Sequence, residues 1–113
     1  MAWRVREIGD SGDKVVIELE GVVDSTNVED FFGFINSVFR QGKTRIVLDL
    51  EFTGYLSSGA LSVIADAHNR AKKEGGKLVI ARSSEMVNEL FEVVQFSKIM
   101  EFYDDLDAAI EAA

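Results

Sequence analysis

The nearly all-apolar run at residues 45–50 constrains this chain more than any other part of its sequence. Ile46-Val47-Leu48-Asp49-Leu50 lacks the alternation of a half-exposed strand, which predicts a central strand covered on both faces. A short loop follows, and Ser57-Ser58 then opens a stretch with helical spacing that extends to Glu74. A strand that leads directly into a helix is the building unit of α/β proteins, so an α/β fold is expected.

The segments on either side of this run complete the α/β pattern. Residues 3–6 and 15–20 alternate apolar and polar side chains around a turn at residues 9–13, which predicts an antiparallel hairpin. The predicted order is β-β-α-β-α-β-α-β-α, a mixed sheet packed against about four helices in one domain, residues 1–113. The later elements are expected at residues 77–81 (strand), 84–94 (helix), 99–103 (strand) and, capped by Asp104 or Asp105, 106–110 (helix).

The first predicted helix begins after residues 26–29, which have the form of a capping box. Gly33 inside this helix predicts close packing of the helix on the sheet, because glycine is otherwise unfavourable there. Phe34 falls outside the apolar stripe, and it is expected to be a single exposed apolar residue or, as the alternative, part of a partner surface. The stripe that should face the core comprises Val28, Phe31, Phe32, Ile35, Val38 and Phe39.

Composition argues against several classes of function. The formal net charge of −8 disfavours nucleic-acid binding, and no apolar run reaches the ~20 residues of a membrane span, so a cytoplasmic protein is expected. The chain has no cysteine, and its one histidine, His68, is interpreted as a packed or boundary residue, so a metal site or catalytic triad is not expected. Without a glycine-rich phosphate loop, no cofactor and no enzymatic activity are predicted.

The serine pair at the helix start allows two interpretations. Serine is a preferred N-cap, and its hydroxyl accepts a hydrogen bond from a free backbone N–H at a gain of ~1 kcal/mol. A phosphate on the same hydroxyl would meet several free N–H groups and the positive end of the helix dipole. Ser57 and Ser58 are therefore either simple capping residues or a regulatory phosphorylation site.

The order of several motifs resembles the STAS domain family (sulfate transporter and anti-sigma factor antagonist), especially its small free-standing bacterial members. The resemblance covers nearly the whole chain. It rests on Gly21-Val22-Val23-Asp24, on residues 46–50 leading into Tyr55-Leu56-Ser57-Ser58-Gly59-Ala60-Leu61, and on Gly75-Gly76-Lys77-Leu78-Val79-Ile80. The family fold is the mixed sheet with helices expected above.

The resemblance also implies roles for individual residues. Ser58 matches the family's phosphoacceptor, with Ser57 as the alternative, and Asp24 matches an acidic residue of the partner surface. Ser57 stands where the family often has Asp, and Gly59-Ala60 inverts the usual order of small residues. The implied partner-binding residues are Asp24, Ser57, Ser58, Gly59 and Ala60.

The function implied by the resemblance is that of an anti-sigma factor antagonist. Such a protein binds an anti-sigma factor that is a serine kinase, is released when phosphorylated at the position of Ser58, and is reset by a phosphatase. The alternative is a constitutive, unphosphorylated interaction subunit of a transporter or signalling scaffold, and a small-ligand sensor is a third hypothesis. The expected oligomeric state is a monomer or a weak homodimer.

Overall fold

A computed structural model describes residues 2–113 of the chain. Within them the element order is β-β-α-β-β-α-β-α-β-α, with a single 3₁₀ turn at Phe96–Lys98 before the last strand. The strands are β1 (Ala2–Glu7), β2 (Lys14–Val23), β3 (Arg45–Asp49), β4 (Thr53–Leu56), β5 (Lys77–Ala81) and β6 (Phe102–Tyr103). The helices are α1 (Val28–Arg40), α2 (Ser58–Lys73), α3 (Glu85–Val93) and α4 (Leu106–Ala112).

The strands form one mixed sheet, in the order β1-β2-β3-β5-β6. β1 pairs with β2 in antiparallel fashion, which confirms the predicted hairpin, and the pairs β2–β3, β3–β5 and β5–β6 are parallel. The α/β prediction and the expected four helices are confirmed. Parallel strands place the starts of the following helices at one end of the sheet, and this end carries the site described below.

β4 was not predicted, because residues 51–56 were interpreted as part of a loop. The strand has only four residues and contains Gly54, so it carries little periodic signal. It pairs in parallel with the last part of β2, opposite Val22 and Val23, beyond the point where β3 has ended. The chain therefore reaches α2 from a strand held to β2 and not from a free loop.

The sheet is buried on both faces, as its apolar central strands predicted. One face packs against α1, α2 and α3 through alternate residues such as Ile17, Leu48 and Ile80. The opposite face packs against α4, with Val16, Val47 and Val79 meeting Ala109 and Ala113. The two covered faces explain why residues 46–48 are all apolar, without alternation.

Helix α1 departs from its prediction in three respects. Its N-cap is Asn27, whose side chain makes no capping bond, and the Thr26 hydroxyl donates to Asp24 instead, so the predicted capping box is wrong. Phe32 is exposed, whereas Phe34 packs on the Trp3 ring at a centroid distance of 5.7 Å. At Gly33 an added Cβ would meet no atom within 4 Å, so close packing does not explain this glycine.

The last strand of the sheet is shorter than predicted. Within residues 99–103 only Phe102 and Tyr103 form β6, because the 3₁₀ turn directly before Ile99 occupies the preceding backbone. The α4 cap is Asp105, whose carboxylate accepts from the Ala108 amide at 3.0 Å. Val94, the last residue of the predicted third helix, is the C-cap of α3 and is exposed.

Candidate functional site

Helix α2 begins with a serine cap that is anchored to the sheet. Ser57 has an extended backbone (φ −71°, ψ 169°), and its Oγ accepts a hydrogen bond from the Ala60 amide at 3.2 Å. The Ser57 amide donates to the Val23 carbonyl at the end of β2 at 2.8 Å. Ser57 therefore has the geometry of a standard N-cap, held in place by the strand next to it.

Ser58 has a different environment, although it is the next residue. It is the first residue of α2, and its side chain is exposed. Among residues 2–113, no hydrogen-bond partner is found for its hydroxyl. Capping therefore accounts for Ser57 but leaves the Ser58 hydroxyl free to react or to contact another molecule.

Among the α-helices of residues 2–113, α2 has the fewest negative charges at its N-terminus. Its first turn holds no acidic residue, whereas α1, α3 and α4 each have at least one there. Carboxylates at this position normally offset the positive end of the helix dipole. The α2 start therefore favours an added anion more than the other three helix starts do.

Asp24 organises the connection between β2 and α1. Its Oδ1 accepts hydrogen bonds from the Thr26 amide at 2.9 Å and the Thr26 hydroxyl at 2.6 Å. Its own amide donates to the Asn27 side chain at 2.9 Å, and its carbonyl accepts from the Val28 amide at 2.9 Å. The two bonds from Thr26 hold the pKa of the Asp24 carboxyl below its ordinary value.

The structure brings Asp24 and the serine pair together. Val23 lies opposite Leu56 in the parallel β2–β4 pair, so the residues that follow, Asp24 and Ser57, leave the sheet side by side. Gly59 is exposed in the first turn of α2, next to Val28 of α1. We use the term Ser58 surface for Asp24, Ser57, Ser58 and Gly59.

Ala60 does not belong to this surface. It was expected to contact a partner, but its side chain is fully buried and packs in the core beneath α2. Its amide serves as the donor to the Ser57 cap. The structure therefore gives Ala60 an internal role, because a residue at the N3 position of this helix faces the sheet.

Two apolar residues beside the Ser58 surface were not identified from the sequence. Val22 and Tyr55 lie opposite each other in the β2–β4 pair, and they remain 39% and 43% exposed. Both precede a predicted site residue by two or three positions. Recognising β4 as a strand would have placed Tyr55 opposite Val22 of β2, so the missing strand prediction left this pair unidentified.

A partly buried ion pair supports the strand that leads into this region. The Asp49 side chain is only 4% exposed and accepts two hydrogen bonds from Arg82, at 3.2 and 2.6 Å. Arg82 also reaches Glu51 at 3.3 Å, and the Asp49 interaction raises the pKa of its guanidinium. Because Arg82 has a positive φ of 55°, the pair ties a strained residue after β5 to the end of β3.

The structure also locates the remaining candidate residues. His68 lies in the later half of α2, and its buried Nδ1 has no hydrogen-bond partner among residues 2–113. Across the same residues, no group of acidic or histidine side chains is arranged to hold a metal ion. None of the helices in this part of the chain is long and apolar enough to cross a membrane.

Comparisons with known proteins agree with the fold. The sequence pattern of the STAS domain family matches residues 2–109. BtrV of Bordetella bronchiseptica, a candidate anti-sigma factor antagonist, is 32% identical over 94 residues, covering 83% of this chain and 81% of BtrV. The candidate anti-sigma factor antagonist tm1081 of Thermotoga maritima superposes with a TM-score of 0.88 at 19% identity, over 97% of this chain and 92% of tm1081.

A further similar structure is that of the Bacillus cell fate determinant SpoIIAA in its phosphorylated form. It has a TM-score of 0.74 at 19% identity and covers 98% of both chains. The mixed sheet, its antiparallel hairpin and the helices that cover it define a STAS-type α/β domain. The chain belongs to the STAS domain family.

Proposed function

We propose that this protein is an anti-sigma factor antagonist that binds a serine-kinase anti-sigma factor through the Ser58 surface. Phosphorylation of Ser58 ends the binding, and a phosphatase restores it. The protein has no enzymatic activity of its own. The general role is supported by relatives named as anti-sigma factor antagonists, and the switch is supported by SpoIIAA, a protein of similar fold whose structure is known in a phosphorylated form.

The observation that carries the proposal is the difference between the two serines. The Ser57 hydroxyl accepts a hydrogen bond from the helix, whereas the Ser58 hydroxyl is exposed and has no hydrogen-bond partner among residues 2–113. A kinase can reach Ser58 without breaking a bond of the fold. A phosphate there, with a charge of about −2, would lie at a helix start whose first turn has no carboxylate.

Electrostatics also explain how one phosphate would end the binding. A kinase that modifies Ser58 must hold the phosphates of its nucleotide next to the Ser58 hydroxyl. A phosphoserine at the same place would face these like charges, and like-charge contacts across an interface cost several kcal/mol. The fold itself would not be disturbed, because the Ser58 side chain lies outside the core.

The proposal is tested with a candidate serine-kinase anti-sigma factor from the same organism. The kinase and ATP should add one phosphate, located at Ser58 by mass spectrometry. Ser58→Ala should abolish the modification and keep binding in calorimetry, whereas Ser57→Ala should leave Ser58 modified. If no phosphate is added, or if Ser58→Asp co-purifies with the partner as well as the wild type, the constitutive interaction subunit is the better description.

A further inference from the structure

A groove runs between α1 and α2, next to the Ser58 surface. It has a volume of about 240 Å³ and a mostly apolar lining, to which Phe32 of α1 and Val63 of α2 both contribute. Phe32 is 50% exposed, which is unusual for an aromatic residue on the inner side of a helix pair. We call this feature the α1–α2 groove.

The α1–α2 groove continues directly from the Ser58 surface. Gly59 and Val63 lie one turn apart on the same side of α2, as Val28 and Phe32 do on α1. A Cβ at Gly59 would be 3.4 Å from Val28, so the two helices approach each other where the groove begins. Val63 lies only about 7.5 Å along the helix from Ser58, well within a standard contact area of about 800 Å² per partner.

The volume of the groove indicates what kind of group can bind in it. Pockets for small-molecule ligands usually enclose about 300 Å³ or more, whereas a cavity of about 150 Å³ already admits a benzene ring. A groove of about 240 Å³ therefore suits one large apolar side chain, such as Phe or Leu, from a docked protein. Phe32, exposed at its edge, would be covered by such a contact.

The charges around the groove indicate which kind of residue should lie beside the apolar side chain of the partner. Asp66 lines the groove, and Glu29 is exposed one turn before Phe32. Among residues 2–113, neither carboxylate has a salt-bridge partner. At the far end, Arg70 is already bound by Asn36 at 3.1 Å and by Glu74 at 2.9 Å. The free charge at the groove is therefore negative, which fits a Lys or Arg on the partner.

We propose that the α1–α2 groove receives a large apolar side chain of the anti-sigma factor, with a basic residue beside it that faces Asp66 and Glu29. This proposal rests on the proposed function of the Ser58 surface. It adds a second contact, which strengthens binding of the anti-sigma factor. The kinase therefore recognises two adjacent features, the hydroxyl to be modified and an apolar groove with an acidic edge.

The test compares variants of the groove with matched variants at the other end of the molecule. Phe32→Glu should weaken binding to the kinase by about tenfold or more. Ile99→Glu, at a residue of similar exposure (57%) near the C-terminal end of α2, should bind like the wild type. Asp66→Lys should weaken binding and flatten its salt dependence, whereas Asp10→Lys in the β1–β2 turn makes the same charge change without that loss.

Phosphorylation kinetics separate this proposal from the proposed function. With Phe32→Glu the kinase should still modify Ser58, at a raised KM and an unchanged kcat. If the wild type binds and is phosphorylated while Phe32→Glu and Asp66→Lys match their controls, the groove proposal alone is wrong. If the wild type does not bind, both proposals fail. If Phe32→Glu instead abolishes self-association in sedimentation, a second copy occupies the groove and the proposal is also wrong.

Discussion

Helices α2 and α3 begin with nearly the same cap but differ in the residue that follows it. Ser57 and Ser84 have similar backbone angles (φ −71° and −69°), and each hydroxyl accepts from the amide three residues later, at 3.2 and 3.3 Å. After the cap, α3 has Glu85, whereas α2 has Ser58 and no carboxylate in its first turn. Helix stability requires the cap but not Ser58, so the second serine needs a different explanation.

The largest expected effect comes from making the α2 start resemble the α3 start. Ser58→Glu should reduce binding to the kinase at least about a hundredfold, or about 2.7 kcal/mol, because a carboxylate would face the nucleotide phosphates. The same change should raise the free energy of unfolding by about 0.3–1 kcal/mol, because it compensates the helix dipole. Calorimetry and urea denaturation measure the two quantities.

The reciprocal change at α3 is the control for Ser58→Glu. Glu85→Ser removes the first-turn carboxylate and should lower the free energy of unfolding by about 0.3–1 kcal/mol. It should leave binding to the kinase unchanged. Equal losses of binding from Ser58→Glu and Glu85→Ser would contradict the assignment of the partner surface to the α2 start.

Removing each cap should have a smaller and nearly equal effect. Ser57→Ala and Ser84→Ala each delete a hydroxyl that accepts one helix amide, so each should lower the free energy of unfolding by about 1 kcal/mol. Thermal denaturation of both variants measures this loss. If Ser57→Ala also abolished phosphorylation while Ser58→Ala did not, Ser57 would be the acceptor.

A glycine substitution in the first turn of α2 separates stability from binding. Gly59→Ala should raise the free energy of unfolding by up to about 1 kcal/mol, because alanine favours the helix and its Cβ would only contact Val28 at 3.4 Å. The added methyl should weaken partner binding severalfold. Gly33→Ala in α1, where a Cβ meets no atom within 4 Å, should give the same gain in stability with unchanged binding.

Much of this fold follows from the sequence because its signals are local. The apolar run at residues 46–50 predicted a doubly covered strand, and the serine pair predicted the start of α2 at Ser58, as observed. The predictions that failed depend on tertiary contacts. β4 forms because β2 extends past the end of β3 and offers a partner, and the Thr26 hydroxyl is used by Asp24 instead of the helix.

The geometry of the candidate site also depends on tertiary contacts, so the sequence alone predicted it only in part. The sequence placed Asp24, Ser57, Ser58 and Gly59 near one another only through a family resemblance, whereas the β2–β4 register supplies the physical reason. Only the structure shows that the Ser57 hydroxyl makes the capping bond and that the Ser58 hydroxyl takes no part in it. Ala60 was expected on the surface through the same resemblance, whereas the third residue of α2 has its side chain buried in the core.

The smallest expected effect concerns the turn before α1, which lies beside the Ser58 surface, in comparison with the turn before α3. At Asp24, hydrogen bonds from Thr26 lower the pKa of the carboxyl, so this residue stabilises the fold above its unfolded pKa of about 3.9. That contribution is lost as the pH falls through the folded-state pKa. Thr26→Val should raise the pKa of Asp24 towards its ordinary value, because only the bond from the residue 26 amide remains.

The corresponding support before α3 is uncharged, which gives the control for Thr26→Val. There the Ser83 hydroxyl is hydrogen-bonded to the Asn88 side chain, and neither group is charged. The effect of Ser83→Ala on stability should therefore stay the same between about pH 2 and about pH 7, the range in which a carboxyl titrates. The stability difference between Thr26→Val and the wild type should shrink as the pH falls over the same interval. Carbon-13 NMR of the Asp24 carboxyl, recorded with acid denaturation curves, measures both effects. An unchanged Asp24 pKa in Thr26→Val would show that the amide bond alone organises this turn beside the Ser58 surface.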